Sequence, residues 1–205
     1  MNGIAYFSDF DMKYINFIFL KNIILSVKPN KIMKILQNTK LLLLTLSMSI
    51  IATMASAQAS PASTATGKIG DATLNIKYNA PSVKGRAIWG GLVPYDKVWR
   101  TGANTVTTLE SDKDIKIEGK ALVAGKYSIY TIPGEKEWTI IFNSQAGQWG
   151  ITRAGETTLD PTKDVLRVNV KSKKSSTMNE KLLFTITDKG FTLSWENLDV
   201  PVSVK

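Results

Sequence analysis

Between residues 71 and 204 the chain is cut into short runs of alternating apolar and polar residues, and this pattern leaves little room for anything but β-structure. Ala72, Leu74, Ile76 and Tyr78 recur at period 2, a spacing that puts all four on one side of a strand over 71–78. Residues 105–110 are rich in Thr and Val, which suit a pleated, half-buried surface. Two further runs, 114–117 and 120–123, are split by Glu118-Gly119, a hairpin-type turn. In 126–132, Tyr127, Ile129 and Thr131 share a face, and Pro133-Gly134-Glu135-Lys136 marks the next turn. Residues 138–143 are almost wholly apolar, as in a strand covered on both faces. Runs at 164–171, 181–187, 191–196 and 200–204 complete the set, with Asp188-Lys189-Gly190 closing the clearest hairpin. A short strand is expected over 86–89, then a loop over 92–103 with one helical turn near 96–99. The segments 144–162 and 173–179 read as a long polar loop and a charged connector. About ten short strands without an amphipathic helix predict one all-β antiparallel domain, a β-sandwich or jelly-roll-like fold over 68–205. Residues 58–67, small and polar, read as a flexible lead-in.

Upstream, Lys34 and Lys40 precede an apolar run over 41–54 and then Ala55-Ser56-Ala57. A basic start, an apolar centre and a small-residue exit make a signal peptide over 33–57. The run is 14 residues long, short of the roughly 20 that a membrane span needs. The expected product begins near Gln58, is periplasmic or secreted, and keeps no stable membrane anchor after cleavage. Met33-Lys34-Ile35 is a natural start, so residues 1–32 are expected to be an over-long start or an extension. Of the 26 basic and 17 acidic residues, 6 and 2 lie in 1–57, leaving 20 and 15, a net +5 over the remainder. So mild and interspersed a charge argues against nucleic acid as a partner.

The chain has no histidine and no cysteine. A Ser-His-Asp or Cys-His relay, a zinc centre of His and Cys ligands, and a cysteine-linked lipid anchor are all excluded. Stability has to come from packing and not from disulfides. A metal would have to be a hard cation on oxygen ligands, and acid–base chemistry would fall to carboxylates, lysine or tyrosine. No cofactor and no metal are expected.

One stretch concentrates chemistry. Residues 82–104 read SVKGRAIWGGLVPYDKVWRTGAN, with Trp89, Tyr95 and Trp99 beside Arg86 and Arg100. Aromatic faces and guanidinium forks together suit a planar or sugar-like ligand carrying a carboxylate or phosphate. Thr101 and Asn104 follow at once on what reads as a loop, where binding groups tend to sit. The candidate ligand-binding set is therefore Arg86, Trp89, Tyr95, Trp99, Arg100, Thr101 and Asn104. The competing reading is structural: the aromatics are core, and the arginines tie down backbone carbonyls. Asn143, Trp149 and Gly150 join the same site only if the fold brings their loop to it. Asp112 with Asp114, and Glu135 with Glu137, are paired carboxylates, but both pairs fall in turns where charge is ordinarily solvated. The Ser172-Lys173-Lys174-Ser175 run is a scrambled Ser-Lys arrangement in a solvated segment.

Four segments resemble a known family: VPYDKVWRTGAN (93–104), LVAGKYSIYTIPG (122–134), EWTIIFN (137–143) and WENLDVPV (195–202). They are similar to a family of secreted proteins, mostly from Bacteroidetes, whose domain is of unknown function. The resemblance covers roughly 82–204 and implies an exported β-rich domain with no established activity. Some members carry the label asparagine synthetase B. That enzyme resembles an N-terminal-cysteine glutaminase joined to an ATP-pyrophosphatase. The label does not suit a chain without cysteine or a Gly-rich phosphate loop. Three functions stay open: a module binding a small anionic or saccharide-like ligand, a hydrolase or lyase using a carboxylate or Tyr95 as base, and a structural envelope protein. Arg100 separates them, since a ligand clamp and a structural counter-charge respond oppositely to its removal.

Overall fold

In the computed structural model the described residues are 60–205, together with 17, 18, 21, 33, 34 and 36–40. Most of the leader expected over 33–57, and of the extension over 1–32, lies outside them. Among the described residues no helix is long and apolar enough to cross a membrane.

Among the described residues ten strands follow in order: β1 (Ala62–Ile69), β2 (Ala72–Asn79), β3 (Thr107–Ser111), β4 (Ile115–Ile117), β5 (Lys120–Leu122), β6 (Gly125–Ile132), β7 (Glu137–Asn143), β8 (Asp164–Lys171), β9 (Lys173–Thr187) and β10 (Gly190–Ser203). Six of them form one antiparallel sheet in the order β1-β2-β3-β6-β7-β8. Its inner face can be read from the register. Ile76 stands opposite Leu109, Leu109 opposite Tyr127, Ile129 opposite Phe142, and Ile140 opposite Val168. These belong to the main core, where Leu74, Ile76, Leu109 and Phe142 are wholly buried. Since side chains alternate along a strand, Ser128, Tyr130 and Ile132 of β6 turn to the other face. There a smaller cluster of Val106, Tyr130 and Ile141 is flanked by Val98, Ile132 and Leu159.

The opposing layer is built from the β9–β10 and β4–β5 hairpins. Backbone bonds join them: Lys116 N–H donates to Lys205 O at 2.7 Å, and Glu118 N–H to Ser203 O at 3.0 Å. Tyr78, on the six-stranded sheet, accepts the Phe184 N–H of β9 on its hydroxyl at 3.3 Å, a polar tie across the interior. β10 is not straight. Fourteen extended residues span roughly 45 Å, yet the Val204 N–H donates to Lys189 O at 3.1 Å. Lys189 and Val204 are symmetric about the Glu196–Asn197 pair, and Glu196 has φ 53°. The element therefore doubles back there. Phe191, Leu193, Val200 and Val202 along it are all buried.

The all-β antiparallel prediction holds, and most strand positions with it. Four segments differ. The flexible lead-in expected over 58–67 becomes β1, paired along its whole length with β2 from Ala62↔Asn79 to Ile69↔Ala72. Its Ala, Ser and Thr residues carry no apolar alternation because an edge strand buries little. The domain thus starts before the expected residue 68. The connector expected over 173–179 is the first half of β9, which leaves the β10 ladder through two register shifts. Residues 86–89 are no strand; the chain turns there, with Val93 N–H bonded to Ile88 O at 2.9 Å. No helical turn forms at 96–99, where the Trp99 N–H and C=O pair with Thr131 at 2.7 and 2.9 Å.

Candidate functional site

That Trp99–Thr131 bridge divides the aromatic–arginine stretch between the two faces of the sheet. Beyond the last β3–β6 pair, Thr107↔Ile129, Trp99 takes the place opposite Thr131 beside β6. Thr131 lies on the inner face with Ile129, so Trp99 points inward. By alternation its neighbours Val98 and Arg100 turn outward, and Val98 indeed packs against the outer cluster.

Inward, Trp99 meets three other tryptophans. It stacks on Trp195 of β10 at 5.8 Å between centroids with planes 17° apart, and meets Trp138 of β7 at 6.3 Å and Trp89 at 6.0 Å, edge to face. Trp89 meets Trp138 at 5.1 Å and Trp195 at 5.7 Å. Trp138 and Trp195 are each 1% exposed. The quartet joins both layers and fills the space between them. The indole N–H groups of Trp89, Trp138 and Trp195 find no acceptor among the described residues. Each such group costs about 1–3 kcal/mol, which the packing of four large rings has to offset.

Outward, Arg100 lies across Gly150. A Cβ built on Gly150 would stand 2.4 Å from the Arg100 Cβ and 2.5 Å from its Cδ. Only a residue without a side chain lets the guanidinium stem pass so close to the backbone. The Arg100 side chain has neither a hydrogen-bond nor an ion-pair partner among the described residues, and its Nε is buried without an acceptor. Burial without a counter-charge lowers its pKa from the ordinary arginine value, but a guanidinium remains a cation at neutral pH. The backbone that carries it is strained. Thr101 has φ 58° and Asn104 φ 57°, and for a β-branched residue the left-handed region is an outlier costing on the order of 1–3 kcal/mol. Thr101 is held there by its hydroxyl, bonded to Thr131 Oγ1 at 3.2 Å and to Trp99 O at 3.3 Å. Its carbonyl accepts the Thr107 hydroxyl at 2.7 Å.

The loop over 144–160 is pinned across this face. Asn143, wholly buried, donates to Asp160 O at 2.8 Å and to Asp164 Oδ1 at 2.7 Å, and accepts from Gln145 N–H at 3.0 Å. Farther along, Val106 N–H donates to Gln148 O, and Thr105 bridges Trp149. Gln148 donates from Nε2 to the Tyr130 hydroxyl at 2.8 Å, which meets Thr158 Oγ1 at 3.1 Å. Thr158 donates to Trp149 O at 2.8 Å. Gln148 Oε1 is buried with no donor among the described residues. Trp149, between Gln148 and Gly150, is 55% exposed.

Of the seven residues singled out in the sequence, Arg100 offers a charged group without a partner among the described residues. Trp89 and Trp99 are packed into the quartet, the structural alternative. Arg86 likewise ties backbone, donating to Val83 O at 3.1 Å and Ser82 O at 2.5 Å. Tyr95 lies over Gly90, whose built Cβ would be 3.1 Å from its ring. Thr101 holds the strained backbone, and Asn104 reaches Ser60 O at 3.5 Å. Gly150 does come to the stretch, while Asn143 serves as a loop anchor. Tyr130, Gln148 and Thr158 were not singled out; nothing in their spacing marks them, since pairing across the sheet creates the cluster.

Of the paired carboxylates, Asp112 accepts the Thr73 N–H at 2.6 Å and Asp114 the Ala124 N–H at 2.7 Å, while Glu137 accepts from the Asn169 amide at 3.4 Å. Among the described residues no three metal-ligating side chains gather. A cleft of about 340 Å³ lies elsewhere, lined by Glu118, Lys189, Phe191 and Ser203, but the Glu118 carboxylate is spent on the Ser203 N–H at 2.5 Å. No curated protein and no solved structure matches the chain. A family model described as "Protein of unknown function (DUF2911)" matches residues 60–204, and the chain belongs to that family.

Proposed function

We propose that this domain is an exported binding module for a small anion, with Arg100 as the clamp. One observation carries the reading: a partly buried guanidinium on a strained loop has no acceptor among the described residues. A buried charge that stabilised the fold would be expected to have a partner. A group held ready for a carboxylate or phosphate oxygen needs none until the ligand arrives. Gly150 supports the same reading, because the close approach there fixes the direction of the stem. Export rests on the leader expected over 33–57. Acid–base catalysis gains no comparable support, since Asp112 and Asp114 are engaged by backbone N–H groups and Glu137 by the Asn169 amide.

The test is calorimetric titration of the domain with sodium sulfate and sodium acetate at constant ionic strength. Saturable heat is expected from the native protein and none from Arg100→Met, which keeps most of the apolar stem. At a hundredfold excess over Kd the ligand should stabilise the fold by about 2.7 kcal/mol. Equal heats from both proteins would remove Arg100 from the site.

A further inference from the structure

We infer that the ligand taken at Arg100 is a hydroxy acid, a carboxylate with a hydroxyl on the adjacent carbon as in glycolate or the acid end of a sugar acid. This rests on the anion reading above. It adds the second unused polar group of the outer face, the Oε1 of Gln148.

The direction of every proton around Gln148 can be assigned. Thr158 has one hydroxyl proton and gives it to Trp149 O at 2.8 Å. In the 3.1 Å contact between Tyr130 and Thr158, Tyr130 is therefore the donor. Having spent its own proton, Tyr130 accepts from Gln148 Nε2 at 2.8 Å. Turning the amide over would require Tyr130 to donate to Gln148 instead, so that Thr158 would have to choose between Tyr130 and Trp149. One hydrogen bond would be lost. The chain of three bonds thus holds Gln148 with its carbonyl oxygen left over as an acceptor.

Gln148 and Gly150 flank Trp149, which is bridged to Thr105. The antiparallel Trp99–Thr131 bridge sets the next residues, Arg100 and Tyr130, side by side on the outer face, and Tyr130 is the residue that holds the Gln148 amide, so the Gln148 side chain and the Arg100 stem at Gly150 meet in one place. Both Arg100 Nε and Gln148 Oε1 are buried and without partners among the described residues. One is a cationic donor and the other a neutral acceptor. A plain carboxylate satisfies the first and puts a lone pair near the second. A 2-hydroxy acid satisfies both, its carboxylate accepting from Arg100 and its hydroxyl donating to Gln148.

The experiment compares acetate with glycolate, which differ by that hydroxyl, on the native domain, Arg100→Met, Gln148→Leu and Tyr130→Phe. Glycolate should bind the native domain at least about tenfold more tightly than acetate. Gln148→Leu should bind the two acids alike. Tyr130→Phe, which frees the amide to turn while keeping the ring in place, should narrow the preference; it stands in should Gln148→Leu fail to fold. Equal binding of the two acids by the native domain, with both lost in Arg100→Met, would overturn the hydroxy-acid assignment and keep the anion site. A glycolate preference that survives both Gln148→Leu and Tyr130→Phe would also overturn it. If the native domain binds neither acid, the anion reading falls as well.

Discussion

The inner and outer faces of the six-stranded sheet receive neighbouring residues of one segment and treat them in opposite ways. Trp99 goes inward to three other tryptophans and is consumed by packing. Arg100 goes outward over Gly150 and has no partner among the described residues. The difference shows what separates architecture from a candidate site. On the inner face apolar area is satisfied and three indole donors are sacrificed to it. On the outer face hydrogen bonds fix the positions of side chains but leave one donor and one acceptor open. The comparison is between a region optimised for burial and one held in place at a cost in strain.

The largest effect is expected where the inner face is broken. Trp195→Ala removes a ring that packs against both Trp89 and Trp99 and should cost about 3–5 kcal/mol, read from urea unfolding. A loss under about 1 kcal/mol would mean that the quartet is no structural unit. Next comes Gly150→Ala. Its new methyl would stand 2.4 Å from the Arg100 Cβ, so the stem has to move, at about 1–3 kcal/mol. Titration with acetate should then give no heat although Arg100 is present. Retained binding would separate Arg100's position from Gly150.

The smallest effect concerns a turn away from both faces. The Thr73 N–H bond holds the Asp112 carboxyl below its ordinary 3.8. A depressed folded-state pKa stabilises above the unfolded value and loses that contribution as pH falls through the folded one. Below about pH 4 the native Tm should fall slightly more steeply than that of Asp112→Asn, whose amide oxygen still accepts the bond. Parallel profiles would place the acid sensitivity elsewhere.

Much of the fold was legible because β-strands announce themselves by period 2: Leu74, Ile76 and Tyr78 face the core as their spacing predicts. β1 was not, because an edge strand of Ala, Ser and Thr owes its order to pairing with β2 and not to its own apolar side chains. The first half of β9 was missed for the same reason. In the site the sequence marked the right segment and one of its open groups, Arg100, but overweighted aromatic density. Nothing local distinguishes a stacking tryptophan from a core one; the Trp99–Thr131 bridge decides it, and that pairing joins residues distant in the chain. Gln148 was invisible because its meaning lies in Tyr130 and Thr158, reached only across the sheet.

Equilibrium unfolding of Arg100→Met beside the native domain, each with and without sulfate, tests the division between the two faces most directly. An arginine held ready for a ligand predicts that the variant lies within about 1 kcal/mol of native without sulfate, and that sulfate stabilises the native domain alone. A loss of about 3–5 kcal/mol without sulfate, the scale seen when a buried charge pair is broken, would make Arg100 structural and contradict the division between the two faces.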